Sequence, residues 1–121
     1  MSVATIAGRV VLWVLSIALA CVFLLAGVPK LAGAEGHIRH FAHWGYPDWF
    51  RLVVGTIETS SALMLLVPRI AFIGAIGIMV IMAGATYTHV IRVPEEAARA
   101  PLTLGLLTAA AIVAVARRPK R

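Results

Sequence analysis

Charge is what this 121-residue chain has least of. Only 13% of its residues are charged, against roughly 25% in an ordinary soluble domain. A soluble fold of this length leaves much of its surface in water and needs polar side chains to cover it. A cytosolic enzyme, a disordered chain and a soluble disulfide scaffold are thereby excluded. Cysteine is almost missing as well. Cys21 stands alone, so the chain can form no intramolecular disulfide and run no dithiol cycle; inside its apolar run it reads as a small buried hydrophobe. No basic-aromatic stripe tracks along the chain. The positive residues sit at the ends of apolar runs, so the net charge of +6 is not the footprint of a nucleic-acid binder, and no nucleic-acid partner is expected. What the chain does have is apolar surface: 61% hydrophobic residues and a mean hydropathy of +0.95. This is the composition of a polytopic membrane protein.

Residues 10–29 carry no charge. At 1.5 Å per residue they cover about 30 Å, the thickness of a bilayer core. The run is too long for a secretory signal and has no cleavage site before a polar mature chain, so it predicts a transmembrane helix over about residues 9–31. Two further uncharged runs predict spans over about 70–91 and 101–116, with Pro101 in a first helical turn that needs no amide donor. Residues 49–67 have the length of a span but contain Arg51 and Glu58. A central acid costs about 2.5 to 3.5 kcal/mol, and each Leu, Ile or Val returns about 0.3 to 0.6. The segment is balanced alone and depends on its neighbours. The link between the first two spans holds Phe41, Trp44, Tyr46 and Trp49 among polar residues, which suits an interfacial segment over about 36–47. With no repeat and no domain boundary, the expectation is one all-α membrane domain over 1–121: an integral membrane four-helix bundle.

Four spans put both termini on one side, with Arg9, Arg69, Arg117, Arg118, Lys120 and Arg121. Lys30, Arg39, Arg51, Arg92 and Arg99 fall on the other. The cluster in the short C-terminal tail tips the reading toward cytoplasmic termini. His37, His40, His43 and His89 then all face away from the cytoplasm, together with Lys30, Arg51, Tyr46 and Tyr87.

Glu58 is the foremost candidate for function. It lies about 15 Å into the membrane from Asp48, and an ionisable residue at that depth is a functional-site hypothesis that should face the bundle interior. Thr56, Thr59, Ser60 and Ser61 make a polar stripe around it. The competing reading is an acid that only locks the second helix to a basic partner. Arg51 shares its face two turns away. Lys30 closes the first span, but residue counting leaves about 15 Å of depth between Lys30 and Glu58, so contact would need tilt, a later helix start or a bridging water. His89 and Tyr87 end the third span; they read either as interfacial anchors or as functional groups that hydrogen-bond a quinone-like head group or exchange protons with Glu58. His37, His40 and His43 repeat every third residue, spread over about 120° of a helix with no acid or cysteine at ligand spacing. No metal is expected there. Gly77 and Gly84 share one face of the third span, suited to close helix packing, a homodimer face or a close-fitting ligand wall.

The run Phe23-Leu24-Leu25-Ala26-Gly27-Val28-Pro29-Lys30-Leu31 is followed by Trp44-Gly45-Tyr46-Pro47. Gly55 with Glu58, Leu65-Leu66-Val67-Pro68-Arg69, and Met82-Ala83-Gly84-Ala85 before His89 come next. In this order and spacing, over about residues 8–115, the chain resembles the DoxX and DoxX-like membrane proteins. The resemblance implies a small four-helix protein of the bacterial inner membrane. Some members are the membrane subunit of a quinone-linked sulfur oxidoreductase, and others associate with redox enzymes that handle oxidative stress. The family pattern has a lysine after the first helix and a glutamate in the second, where Lys30 and Glu58 stand, and His89 matches the polar end of the third. With Cys21 alone, the chain lacks the paired thiols of related four-helix dithiol enzymes.

Three functions compete. The first is a redox-associated, quinone-linked membrane subunit with Glu58, Lys30, His89, Arg51, Tyr87 and Thr59 around its site, working with a larger membrane or redox complex. The second is a structural or assembly subunit, docked to a complex or to copies of itself. The third is a small proton-coupled transporter; small multidrug antiporters match this chain in length and helix number, but they carry their key acid in the first helix.

Overall fold

The computed structural model describes residues 2–119. Among these the chain is helical with no strand: α1 (Val3–Ala32), α2 (Glu35–His43), α3 (Asp48–Leu65), α4 (Ala71–Tyr87) and α5 (Ala100–Arg117). A π-helical turn, Thr88–Arg92, continues α4, and a 3-10 turn, Pro94–Arg99, leads into α5.

Local chemistry explains the boundaries. Ser2 caps α1 by accepting the Thr5 amide at 3.1 Å, which satisfies a donor that a helix start leaves free. This cap starts α1 well before the uncharged run. Gly33 ends it in a left-handed conformation (φ 78°), and the amide of Ala34 returns to the Pro29 carbonyl at 3.0 Å. This wraps the last turn of the helix. α3 begins directly after Pro47, with Asp48 in its first turn, where the helix dipole favours a carboxylate.

Three stretches are long and apolar enough to cross a membrane: Val3–Ala32, Ala71–Arg92 and Pro94–Arg117. α3, with its charged residues, packs against both α1 and α4, and α5 packs against α4 and more lightly against α1. The four long helices thus close a ring in chain order, an all-α membrane bundle. Leu19, Phe23, Leu65, Ile78 and Val113 fill its core. The outer faces are apolar too, with Val10, Val14, Ile73, Val80 and Val115 exposed, as expected of a bundle solvated by lipid. The N-terminal half of α1 meets the C-terminal end of α5, where the Arg117 guanidinium lies 5.3 Å from the centre of the Trp13 ring. Lys120 and Arg121, which entered the charge argument, lie outside the described residues.

Cys21 departs from the expectation of a buried hydrophobe: it is exposed. The inward stripe of α1 runs through Ser16, Leu19, Ala20, Phe23, Gly27 and Lys30, and the helical period carries position 21 off that face.

Candidate functional site

The site begins where α1 and α3 approach most closely. A Cβ on Gly55 would lie 3.0 Å from the Lys30 Cβ and 3.1 Å from the Gly27 carbonyl oxygen. Small residues at a helix contact allow such proximity. It brings Lys30 and Glu58 together, with Nζ 2.9 Å from Oε1. Lys30 is 9% exposed and Glu58 2%. The ammonium also donates to the Ala26 carbonyl at 3.1 Å; it reaches Oε1 off the line of a hydrogen bond, so that contact is an ion pair.

The depth gap between the two residues, expected from residue counting, is absent. Lys30 stands level with Gly55, not with Asp48, so α3 starts about 10 Å beyond the level of Lys30. Side chains on a helix lean toward its N-terminus. Because α1 and α3 run in opposite directions, Lys30 and Glu58 lean toward each other.

Arg51 holds this offset. It is buried and donates to the Lys30 carbonyl, while Nε and Nη2 each reach an Asp48 carboxylate oxygen at 3.2 Å. It clamps the C-terminal turn of α1 to the first turn of α3, and lies outside the cavity described next. Thr59 is also outside it. Its hydroxyl sits against Gly27 and has no hydrogen-bond partner among the described residues.

A cavity of about 380 Å³ lies against the ion pair. Lys30, Glu58, His89 and Tyr87 all contribute to its wall; Tyr87 is also 53% exposed on its outer side. The rest of the lining is largely apolar, from Phe23, Phe50, Val54, Met82 and Leu106, with Thr103 as a further hydroxyl. Thr103 shares a 2.7 Å hydrogen bond with Thr86, joining α4 to α5.

The segment from α2 to the start of α3 roofs this cavity, and sequence reasoning missed how it is fastened. Trp44 Nε1 donates to Glu96 Oε1 at 2.9 Å, and His89 Nδ1 lies 3.1 Å from the same oxygen. Tyr46 and Thr88 hydroxyls are 2.7 Å apart. Arg92 Nε donates to the Trp44 carbonyl at 3.1 Å, and its guanidinium lies 4.6 Å from the centre of the Tyr46 ring. His43 pairs with Glu95 at 3.4 Å, and His40 stacks on Trp44. Burial, with the nearby charges of Lys30, His40 and Arg51, pushes the His37 imidazole below the usual histidine range. The clue available in the sequence was the acidic pair Glu95-Glu96, placed on the same side as a segment rich in histidine and tryptophan.

The arrangement can hold a compact polar group against a cation and a carboxylate, with imidazole, hydroxyl groups and aromatic rings on the surrounding walls. Comparison with known proteins adds the family. An uncharacterized protein of Bacillus subtilis (strain 168), YdgD, is 33% identical over 86 residues, which is 68% of this chain and 75% of that protein. No solved structure matches the chain. The model of the DoxX-like family matches residues 14–115, and the chain therefore belongs to the DoxX-like family.

Proposed function

We propose that this DoxX-like protein is a redox-associated membrane subunit that binds a quinone-type molecule in the cavity beside Lys30 and Glu58. In this reading α3 crosses the bilayer as a fourth span, and both termini face the cytoplasm of a bacterial inner membrane. The observation that supports it is a single cavity whose largely apolar wall carries a buried ion pair and His89. Its size of about 380 Å³ falls within the usual range of small-molecule sites. In this reading the Lys30 ammonium donates to a ring carbonyl, and His89, Tyr46 and Thr103, which also line the cavity, supply hydrogen-bonding groups elsewhere on the wall. Electron transfer itself belongs to a partner in a larger membrane complex. The test is binding of decylubiquinone to purified protein in phosphatidylcholine nanodiscs. Glu58→Gln and His89→Ala should each weaken it about tenfold; unchanged affinity in both removes the reading.

The directness of the Lys30–Glu58 contact favours a second reading, in which the pair is only a clasp between α1 and α3 in an assembly subunit. Under that reading Glu58→Gln lowers stability without any binding defect in the fraction that remains folded.

A further inference from the structure

The aqueous end of the cavity is shut. Phe41 is 3% exposed, Trp44 is held by Glu96, Tyr46 by Thr88, and Arg92 binds the Trp44 carbonyl. The flank between α3 and α4 is different. At one end of that seam the helices touch backbone to backbone: a Cβ on Gly74 would lie 2.6 Å from the Ser61 carbonyl oxygen. One turn on, Gly77 sits against the side chains of Ser61 and Ile57 of α3. Gly84 continues the Gly77 face two turns on, yet a Cβ there would meet nothing within 4 Å. Gly84 is exposed and is also part of the cavity wall. On α3, Val54 and Phe50 extend the stripe of Ser61 and Ile57 to this level, and both line the same cavity. α3 and α4 are therefore joined at one end and splayed at the other. The residues flanking the splay on α4 and the π-helical turn that continues it, Val80, Tyr87 and Ile91, are exposed and largely apolar, as lipid-facing side chains are.

We infer that the cavity opens sideways into the bilayer between α3 and α4 at Gly84, and that its ligand is an uncharged polar head on a long hydrocarbon tail. The head lies against Lys30 and Glu58, and the tail leaves past Gly84. The ligand class rests on the binding reading above; the opening does not. The head is uncharged because Lys30 and Glu58 already neutralise each other, and a charged head would leave a buried charge without a partner. The tail lies outside because a largely apolar cavity of about 380 Å³ has room for a ring and little more.

Two measurements test this. The first is binding of decylubiquinone and of its tailless parent benzoquinone in phosphatidylcholine nanodiscs, for wild type and Gly84→Leu. The empty space at Gly84 lets the leucine fit without disturbing the fold. Expected is at least tenfold tighter binding of the tailed probe, and at least a tenfold loss of that binding in Gly84→Leu with the tailless probe unaffected. If both probes bind and Gly84→Leu weakens neither, the opening is overturned and the binding reading stands. If neither probe binds wild type, the binding reading falls, and with it the ligand class. The second measurement needs no ligand. A bimane label on Ala85→Cys, in a Cys21→Ser background, is exposed to phosphatidylcholine brominated in its acyl chains. Quenching that Gly84→Leu reduces severalfold supports the opening; quenching that is absent, or that Gly84→Leu leaves unchanged, overturns it.

Discussion

Replacing Lys30 with methionine keeps the apolar stem and removes the charge, which leaves the Glu58 carboxylate at 2% exposure without its cation. Removing one partner of a buried ion pair costs about 3 to 5 kcal/mol, because the remaining charge stays desolvated. The converse, Glu58→Leu, falls at the low end of that range. Lys30 keeps its 3.1 Å hydrogen bond to the Ala26 carbonyl, and its long side chain can swing toward the headgroups, as lysines near helix ends do. Replacing both residues removes both charges and costs about 1 kcal/mol or less, since an apolar pair of similar volume is often equivalent to a buried ion pair. By these figures the single costs exceed the double cost by at least about 5 kcal/mol, which is the coupling energy the double-mutant cycle should carry. The assay is reversible unfolding of the purified protein in mixed detergent and SDS micelles, followed by circular dichroism. Additive single effects, or a Lys30→Met cost below about 1 kcal/mol, would refute the claim that these groups depend on each other in a desolvated site.

The glycines give opposite expectations at two positions of one helix. Gly74→Ala drives a methyl toward the Ser61 carbonyl, 2.6 Å away, and should cost about 1 to 3 kcal/mol by overpacking; Gly84→Ala meets nothing and should stabilise by about 0.5 to 1 kcal/mol through reduced backbone entropy. The same unfolding assay compares them. Trp44→Phe removes the 2.9 Å bond to Glu96, a bond to a charged acceptor worth about 1.5 to 3 kcal/mol; faster amide exchange across residues 35–47, with α4 unchanged, is the expected signature. His37 is held below the usual histidine range by burial and by positive neighbours, so the unfolded chain binds its proton more readily than the folded one. Its contribution to stability is full above the ordinary histidine range and is lost as pH falls through it. His37→Gln should flatten that part of the pH–stability profile between about pH 7 and 5.

Part of the inward face of α3 was visible in the sequence: Arg51, Gly55 and Glu58 recur at helical spacing, and all three are buried; that Ala62 and Leu65 continue the face came from the structure. The offset between α1 and α3 was not visible. Counting inward from Lys30 and from Asp48 assumes that both mark one interface, and a link of unknown shape separates them. The two close glycines and the Arg51 clamp decide the offset. The pairing of the roof was equally hidden. Trp44 and Glu96 are 52 residues apart, and nothing in local composition chooses between Glu95 and Glu96 as its acceptor. Gly77 and Gly84 looked equivalent because periodicity reports a face and not the distance to the helix opposite. One is packed and the other open.

Hydropathy by itself determined that the chain is a membrane-embedded helical protein. Each apolar run had to satisfy its own backbone hydrogen bonds within lipid, and that requirement acts residue by residue along the chain. Tertiary structure alone decided that Lys30 meets Glu58, that Arg51 serves as a clamp outside the cavity, and that a roof tied to Glu96 closes over a space beside them. Those outcomes depend on how far one helix slides and splays against another, which is fixed by contacts between residues remote in sequence.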